Sequence, residues 1–160
     1  MQTISKVETT IYERPAELLQ QLIRFDTTNP PGNEAEIIGY INQILMGAGV
    51  QTTLFAKDPA RPNLVARLTG QGIALPLLLY AHVDVVSTEN QAWQYPPFEG
   101  RNVNGVIWGR GALDDKGGAA MFISAFLRAH VAGFIPPGDV ILVLLCDEEF
   151  GGTMGAGYLV

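Results

Sequence analysis

The stretch Leu75-Pro76-Leu77-Leu78-Leu79-Tyr80-Ala81-His82-Val83-Asp84-Val85-Val86 indicates how this chain is organised. The apolar run 77–81 has the composition of a strand that is buried on both faces. His82 and Asp84 follow it, and side chains two residues apart in an extended chain point to the same face. A neutral imidazole is a common metal ligand, and a carboxylate on its other nitrogen fixes the ring orientation. Two interpretations stay open at this point, a metal site or a strand ending in a solvated polar loop.

The composition indicates one folded domain. The chain has 160 residues, of which 48% are hydrophobic and 16% charged, as expected of a globular α/β protein and not of a disordered one. A formal net charge of −6 without a lysine and arginine cluster argues against nonspecific binding to nucleic acid or to anionic membranes. No apolar run approaches the roughly 20 residues that span a bilayer. Residues 1–14 do not resemble a secretion signal.

The cysteine content bears on localisation. Cys146 is the single cysteine, so an intrachain disulfide is excluded and a reducing cytoplasm is the expected compartment. Because Cys146 closes an apolar run, we interpret it as a buried strand residue rather than a nucleophile.

Hydrophobic periodicity and helix-breaking residues predict an α/β layered sheet with a hairpin at its margin. Asn33 with Glu36 three residues later resembles a capping box at the start of a helix. The Asn104-Gly105 pair between β-prone residues is a hairpin signal. The predicted helices cover residues 15–25, 33 to 47 or 49, and 116–132, with the start of a further one in 153–160, and the predicted strands cover 50–56, 63–69, 77–81 and 139–146.

Two aspartates stand in a glycine-rich turn just before a predicted helix. Asp114 and Asp115 lie in the sequence Gly-Arg-Gly-Ala-Leu-Asp-Asp-Lys-Gly-Gly, residues 109–118. Aspartate is a favoured helix N-cap, and an acidic side chain suits a helix start. Capping would account for one of the two, but it leaves the presence of both unexplained.

Three consecutive carboxylates, Asp147-Glu148-Glu149, follow directly on a predicted buried strand. In α/β sheets, ligands bind beyond the carboxyl ends of the strands, so chemistry is expected here. A solvated acidic loop is the alternative. Three mutually repelling acids are easier to explain when a cation balances them.

Together the three segments offer one imidazole and several carboxylates. This ligand mix suits zinc, and more broadly cobalt or manganese. It also suits a two-metal site in which a carboxylate bridges ions about 3.5–4 Å apart. The other histidine, His130, falls near the end of a predicted helix, and a surface role is the preferred interpretation.

These motifs jointly resemble the signatures of the M20 metallopeptidase family, which includes aminoacylases, glutamate carboxypeptidases, carboxypeptidase S, and acetylornithine and succinyl-diaminopimelate deacylases. The motifs occur in family order from about Pro15 onward. They are His-Val-Asp-Val-Val at 82–86, Trp93 with Pro97-Phe98, the segment 109–117, and Asp-Glu-Glu-x-Gly-Gly at 147–152. Ser87 departs from the proline that the family usually has after the first motif.

The resemblance implies a role for each residue that matches a motif. His82 resembles the terminal ligand of one metal, and Asp84 the carboxylate that orients it. Asp114 resembles the aspartate that bridges both ions, and the family has a cis peptide bond after it. Glu148 matches the general base and Glu149 the neighbouring metal ligand. Adjacent strand residues face opposite sides, so both glutamates reach one site only if the chain turns there, as Gly151-Gly152 would allow.

The resemblance also implies a fold and a domain organisation. We expect an α/β, three-layer helix-sheet-helix arrangement with a zinc-exopeptidase-like mixed sheet, in truncated form. Family members use a further acidic ligand beyond the Asp-Glu-Glu segment, a distal histidine and an inserted domain that helps dimerisation. Residues 1–160 are therefore expected to be the N-terminal portion of the catalytic domain. They would hold three of five ligands.

Two functional hypotheses follow from the resemblance. One is a metal-dependent hydrolase that cleaves the amide bond of peptides or N-acyl amino acids, with two Zn²⁺ per complete site and Co²⁺ or Mn²⁺ as alternatives. The other is a non-catalytic fragment of such an enzyme that folds or self-associates. We expect these 160 residues alone to be inactive or nearly so, and to expose a sheet edge or apolar face that favours homo-oligomers.

Overall fold

The computed structural model describes residue 8 and residues 10–160. Four α-helices and six strands are found in this part of the chain, together with two short 3-10 helices, Ile11–Glu13 and Glu148–Phe150. The helices are α1 (Pro15–Ile23), α2 (Ala35–Gly47), α3 (Lys116–Val131) and α4 (Ala156–Leu159). The strands are β1 (Thr52–Phe55), β2 (Asn63–Leu68), β3 (Leu77–His82), β4 (Arg101–Val103), β5 (Val106–Trp108) and β6 (Val140–Leu145). The predicted mixed α/β class is confirmed.

The helices begin and end close to the predicted residues, with one correction at the start of α2. Pro15 occupies the first turn of α1, where its missing N–H costs nothing. The capping box predicted for Asn33 and Glu36 is wrong, because Glu34 precedes α2 and no side chain caps it. The Glu34 carboxylate is instead fully buried against Arg61. A buried ion pair thus overrides the local capping pattern.

The main sheet has the strand order β1-β2-β6-β3. β2 is antiparallel to both β1 and β6, whereas β3 runs parallel to β6, with His82 beside Leu145. The carboxyl ends of β3 and β6 therefore meet at one edge of the sheet. The residues that directly follow β3 and β6 in sequence therefore lie at this edge.

Helices α1, α2 and α3 pack on one face of the sheet. This face presents Leu64, Ala66, Ala81, Leu142 and Leu144, all nearly inaccessible to solvent. Burial of such apolar surface contributes roughly 25 cal/mol per Å² to folding. The core therefore fixes the sheet against the helices and gives the strand ends a rigid base.

The opposite face of the sheet is open in the described part of the chain. Leu78 and Tyr80 of β3 are 56% and 58% exposed, so the prediction of a strand buried on both faces is wrong. The reason is position: among the described residues, β3 is the last strand of the sheet, pairs with β6 alone and receives helices on one face. The exposed apolar face that the sequence predicted is confirmed.

A separate hairpin is formed by β4 and β5, as predicted. Asn104 and Gly105 adopt positive φ angles of 53° and 85°, the backbone conformation that an Asn-Gly turn supplies. Within the residues that the structure describes, no helix is both long and apolar enough to cross a membrane.

Candidate metal centre

Three separate segments deliver the candidate residues to the edge where β3 and β6 end. His82 is the last residue of β3, and Asp114 lies in the loop before α3. Glu148 and Glu149 form the 3-10 turn that follows β6. Because β3 and β6 are parallel neighbours, the first and third segments meet without any long excursion of the chain.

His82, Asp114 and Glu149 converge on one point. Each offers one nitrogen or oxygen atom, and these three atoms lie within 4.8 Å of one another. The side chains of His82 and Asp114 are in direct contact, with Nε2 and Oδ1 2.9 Å apart. Glu148 stands beside them, with Oε2 3.8 Å from His82 Nε2. The structure thus brings together the three residues predicted as ligands and the predicted general base.

The His82 ring is held by Asp84, although not by the carboxylate alone. Nδ1 lies 3.0 Å from the backbone carbonyl oxygen of Asp84 and 3.4 Å from its Oδ1. A carbonyl oxygen can only accept a hydrogen bond, so Nδ1 carries the proton and Nε2 faces the centre. Nε2 is thereby directed to the place where the two carboxylates converge, and its lone pair is available to a metal ion when His82 is neutral.

Asp84 also holds the turn that carries the two glutamates. Its Oδ1 accepts the backbone N–H of Glu148 at 3.1 Å, and its Oδ2 accepts that of Glu149 at 3.0 Å. Asp84 is completely buried. One carboxylate therefore fixes both the imidazole and the backbone of the carboxylates opposite it.

The chain turns immediately after β6, which resolves the geometric problem of two adjacent glutamates. Asp147 has φ of 63°, in the left-handed region, and Glu148 to Phe150 then form the 3-10 helix. The strand alternation that would separate Glu148 from Glu149 ends before either residue. The Asp114–Asp115 peptide bond is cis, as predicted.

The electrostatics of the cluster favour a cation. Burial acts to lower the pKa of His82, but hydrogen bonds to Asp84 and Asp114 outweigh it and raise this pKa to about 9. Burial raises the pKa of Glu149, and the nearby Asp114 carboxylate adds to this rise. The shift of His82 reflects the negative charge of Asp84 and Asp114, for which a proton on His82 is the local compensation. A metal ion that takes the place of this proton would balance the charge more fully.

Four polar residues with a structural part in the site were missed by sequence reasoning. They are Asn29, Glu34, Arg61 and Lys116, all buried. Lys116 donates to the Phe25 carbonyl oxygen at 2.7 Å, and burial lowers its pKa to about 7. A buried lysine or arginine looks no different in sequence from an exposed one. For Asn29, the sequence Asp-Thr-Thr-Asn-Pro-Pro-Gly at 26–32 is rich in helix-breaking residues and predicts a loop, but it does not indicate any contact.

An open cleft of about 360 Å³ adjoins the centre on the side of the β4–β5 hairpin. Its wall includes Trp93, Trp108 and Arg110, and Asp114 stands at one end. The Arg110 guanidinium lies over the Trp93 ring, 5.3 Å from its centroid. The centre is therefore accessible from an aromatic-lined surface.

Comparison with known proteins decides the family. Residues 78–160, just over half of the chain, match the profile described as peptidase family M20/M25/M40. The chain belongs to this family. The three segments that form the cluster described above, at the end of β3, before α3 and after β6, all lie within the matched residues.

Two curated M20 relatives are similar in sequence. A succinyl-diaminopimelate desuccinylase of Gluconacetobacter diazotrophicus is 39% identical over 142 residues, which cover 86% of this chain and 36% of the relative. An N-formyl-4-amino-5-aminomethyl-2-methylpyrimidine deformylase of Bacillus subtilis is 34% identical over 166 aligned positions, covering 96% of this chain and 38% of the relative. The chain thus spans about a third of the length of the curated relatives it matches.

Solved structures of M20 peptidases and of a dipeptidase have a fold similar to that of this chain. Human carnosine dipeptidase 1 has a TM-score of 0.74 at 18% identity, with 90% of this chain and 34% of that one covered. A dinuclear metal binding peptidase of the M20 family from Bacillus subtilis has a TM-score of 0.65 at 15% identity, with 95% and 39% covered. These likenesses place the fold with M20 peptidase domains.

Proposed function

We propose that this chain is the metal-binding part of a hydrolase that cleaves the amide bond of peptides or N-acyl amino acids. The observation that carries the proposal is the convergence of His82, Asp114 and Glu149 within 4.8 Å, with Glu148 beside them. Family membership supports the reaction class, since relatives include a desuccinylase, a deformylase and a dipeptidase by name.

The donor set fits a divalent metal. It consists of the His82 imidazole, whose ring is held through Nδ1, and two carboxylates. Glu149 is partly buried and Asp114 is exposed. Zn²⁺ is our preferred ion and Co²⁺ or Mn²⁺ are alternatives, and His82, Asp114 and Glu149 would hold it. When bound, such ions make water a stronger acid and polarise an amide carbonyl.

Glu148 is the residue we assign to proton transfer. Its backbone is anchored by Asp84 while its side chain is 53% exposed, so the carboxylate lies beside the centre and is open to solvent. A glutamate in this position can accept a proton from water and later deliver it to the leaving amine. Glu149, whose backbone N–H donates to the same Asp84 carboxylate, would be a ligand of the metal.

The substrate contacts that this chain offers are apolar. The cleft beside Asp114 carries Trp93, Val106 and Trp108, which suits an acyl group or an amino acid side chain next to the amide bond. The cytoplasm remains the compartment we propose, on the single buried Cys146.

A second candidate is that these 160 residues fold and self-associate without catalysis. The observation that favours it is the open sheet face, where Leu78 and Tyr80 remain more than half exposed. In addition, two ions that share Asp114 would each have only two protein ligands from the proposed set. Little or no turnover is therefore expected from residues 1–160 alone.

Metal binding and a chimera test the proposal. Isothermal titration of the purified chain with Zn²⁺ should show binding that is lost in Asp114→Asn and kept in Asp115→Asn. A chimera in which residues 1–160 replace the matching third of the Gluconacetobacter desuccinylase should hydrolyse that enzyme's substrate. The Glu148→Gln form of the chimera should lose most of its kcat while still binding Zn²⁺. Equal activity of the chimera with and without the Glu148→Gln change would contradict the role assigned to this residue.

A further inference from the structure

We propose that Asn29 is a positioning residue of the metal centre, an inference that rests on the proposed function. Its side-chain amide joins the two buried carboxylates on which the centre is built. Nδ2 donates to Asp84 Oδ2 at 2.9 Å and to Asp147 Oδ1 at 3.2 Å. One nitrogen thus links the residue that orients His82 to the residue from which the glutamate turn starts.

The Asn29 side chain is fixed in place by its surroundings. The residue is only 4% exposed, and its backbone N–H donates to the Val85 carbonyl oxygen at 2.8 Å. Thr27 donates from its hydroxyl to the Val83 carbonyl oxygen at 2.6 Å. Residues 27–29 are therefore hydrogen-bonded to residues 83–85, which continue β3. These bonds keep the Asn29 amide beside the two carboxylates.

The orientation of the amide follows from its partners. Both partners are carboxylates, which only accept hydrogen bonds, so the NH₂ group must face them. The reverse orientation would place the Asn29 oxygen against two negative charges. Asn29 Oδ1 itself is buried and has no hydrogen-bond partner among the described residues. The residue is thus kept for its two N–H donors.

Asp147 is the second carboxylate, and it is anchored on both oxygens. Oδ1 also accepts from Arg61 at 3.0 Å, and Oδ2 accepts the Met154 N–H at 3.0 Å and the Thr153 hydroxyl at 3.2 Å. Arg61 in turn binds Glu34 through two nitrogens, at 2.7 and 3.0 Å. This bonding holds the left-handed residue Asp147, which directs Glu148 and Glu149 to the centre.

A neutral donor at this junction preserves charge for the metal. Glu34, Asp84 and Asp147 are three buried carboxylates, and Arg61 is the cation within hydrogen-bond distance of two of them. A lysine at position 29 would offset part of the negative charge of Asp84 and Asp147, whereas an aspartate would add a third carboxylate that repels them. The amide of Asn29 satisfies both carboxylates and leaves their negative charge to act on the centre.

The test compares Asn29→Leu and Asn29→Ser with the unchanged chain and with Asn42→Leu. Asn42 lies on α2 and contacts Thr52, away from the centre, so its variant controls for loss of a half-buried amide. Co²⁺ is the probe, and its visible absorption reports ligand geometry directly. We expect 10- to 100-fold weaker Co²⁺ binding and an altered spectrum in Asn29→Leu, as for loss of other residues that orient ligands. Asn29→Ser, which keeps one donor, should fall between.

A second readout does not need the metal. The amide protons of Glu148 and Glu149, which donate to Asp84, should exchange at least tenfold faster in Asn29→Leu than in the unchanged chain. If both variants fail to fold, the unchanged chain still decides, because the Asn29 side-chain NH₂ protons should exchange far more slowly than those of the exposed Asn33. Rapid exchange of the Asn29 protons would overturn the proposal.

The outcomes separate this inference from the proposed function. A chain that binds no Co²⁺ but shows faster exchange in Asn29→Leu contradicts the metal function and supports the positioning of the turn. The other outcome is that Asn29→Leu binds Co²⁺ with the same affinity and spectrum as the unchanged chain but has a lower Tm. Asn29 would then only stabilise the fold, and the proposal would be overturned.

Discussion

His82 and Asp114, 32 residues apart in sequence, are in hydrogen-bond contact through Nε2 and Oδ1 at 2.9 Å. The two residues reach this contact from different elements of the fold. His82 is placed by β3 and by its Nδ1 contact with Asp84, and Asp114 by the loop that leads into α3. Two side chains from separate elements that meet in this way can share one ligand, and several measurable consequences follow.

Loss of the His82 imidazole should abolish metal binding. His82→Gln removes the one nitrogen donor of the cluster, so Zn²⁺ affinity measured by isothermal titration should fall by at least about 100-fold, more than for a residue that only orients a ligand. His130→Gln is the matched control, since His130 lies on α3 outside the cluster. Equal affinity in the two variants would exclude His82 as a ligand.

The metal-free chain should lose stability as the pH rises through about 9. The folded-state pKa of His82 is raised to about 9 from the ordinary 6.5, despite burial, by Asp84 and Asp114. The stabilisation by charged His82 is therefore complete below pH 6.5 and is lost as the pH rises through 9. At about 1.4 kcal/mol per pKa unit, charged His82 contributes at most about 3 kcal/mol to the free energy of unfolding. The contribution is smaller than this maximum because Asp114 is exposed and solvent screens its charge.

Urea unfolding with EDTA at about pH 6, 7.5 and 9 measures this loss. His82→Gln should show a flatter pH dependence than the unchanged chain. A pH dependence that is the same in both would show that another group titrates.

Removal of Arg61 should cost far more stability than removal of Arg67 from the same strand region. Arg61→Met leaves the buried carboxylates of Glu34 and Asp147 without their cation, a loss of about 3–5 kcal/mol. Arg67 pairs with Asp139 at the surface, and Arg67→Met should cost about 1 kcal/mol or less. The midpoints of urea unfolding compare the Arg61→Met and Arg67→Met variants. Similar midpoints would mean that the buried ion pairs of Arg61 do not stabilise the fold more than the surface pair does.

The open face of the sheet should make the 160-residue chain self-associate. Leu78 and Tyr80 lie on this face, at the free edge of the sheet. Sedimentation velocity at micromolar concentration should show oligomers, and the double change Leu78→Glu with Tyr80→Glu should shift the population to monomer. Leu113→Glu, at a 91% exposed position outside the sheet, is the control. A monomeric unchanged chain would argue against association through this face.

The sequence by itself determined the elements and the candidate ligands. Periodicity located α1, α3 and the strands, because apolar spacing reports which side of an element is buried. Asn104-Gly105 specified the hairpin turn through its backbone preference. His82 and the acidic segments at 114–115 and 147–149 stood out because imidazole and carboxylate groups at strand ends and turns are chemically distinctive, and the resemblance to the M20 family selected Asp114 and Glu149 among them. These signals are local, and each can be read from a few neighbouring residues.

Only the tertiary structure decided how these segments meet and what supports them. The parallel pairing of β3 with β6 brings His82 beside the 3-10 turn, and no local pattern specifies which strands pair. The structure gives a role to three polar residues that are buried against partners 27 to 118 positions away in sequence, Asn29, Glu34 and Arg61. The ion pair of Glu34 with Arg61 is also the reason why the predicted capping box at the start of α2 is wrong. The energy of a buried polar contact depends on the whole surroundings that exclude water, and a linear sequence does not display those surroundings.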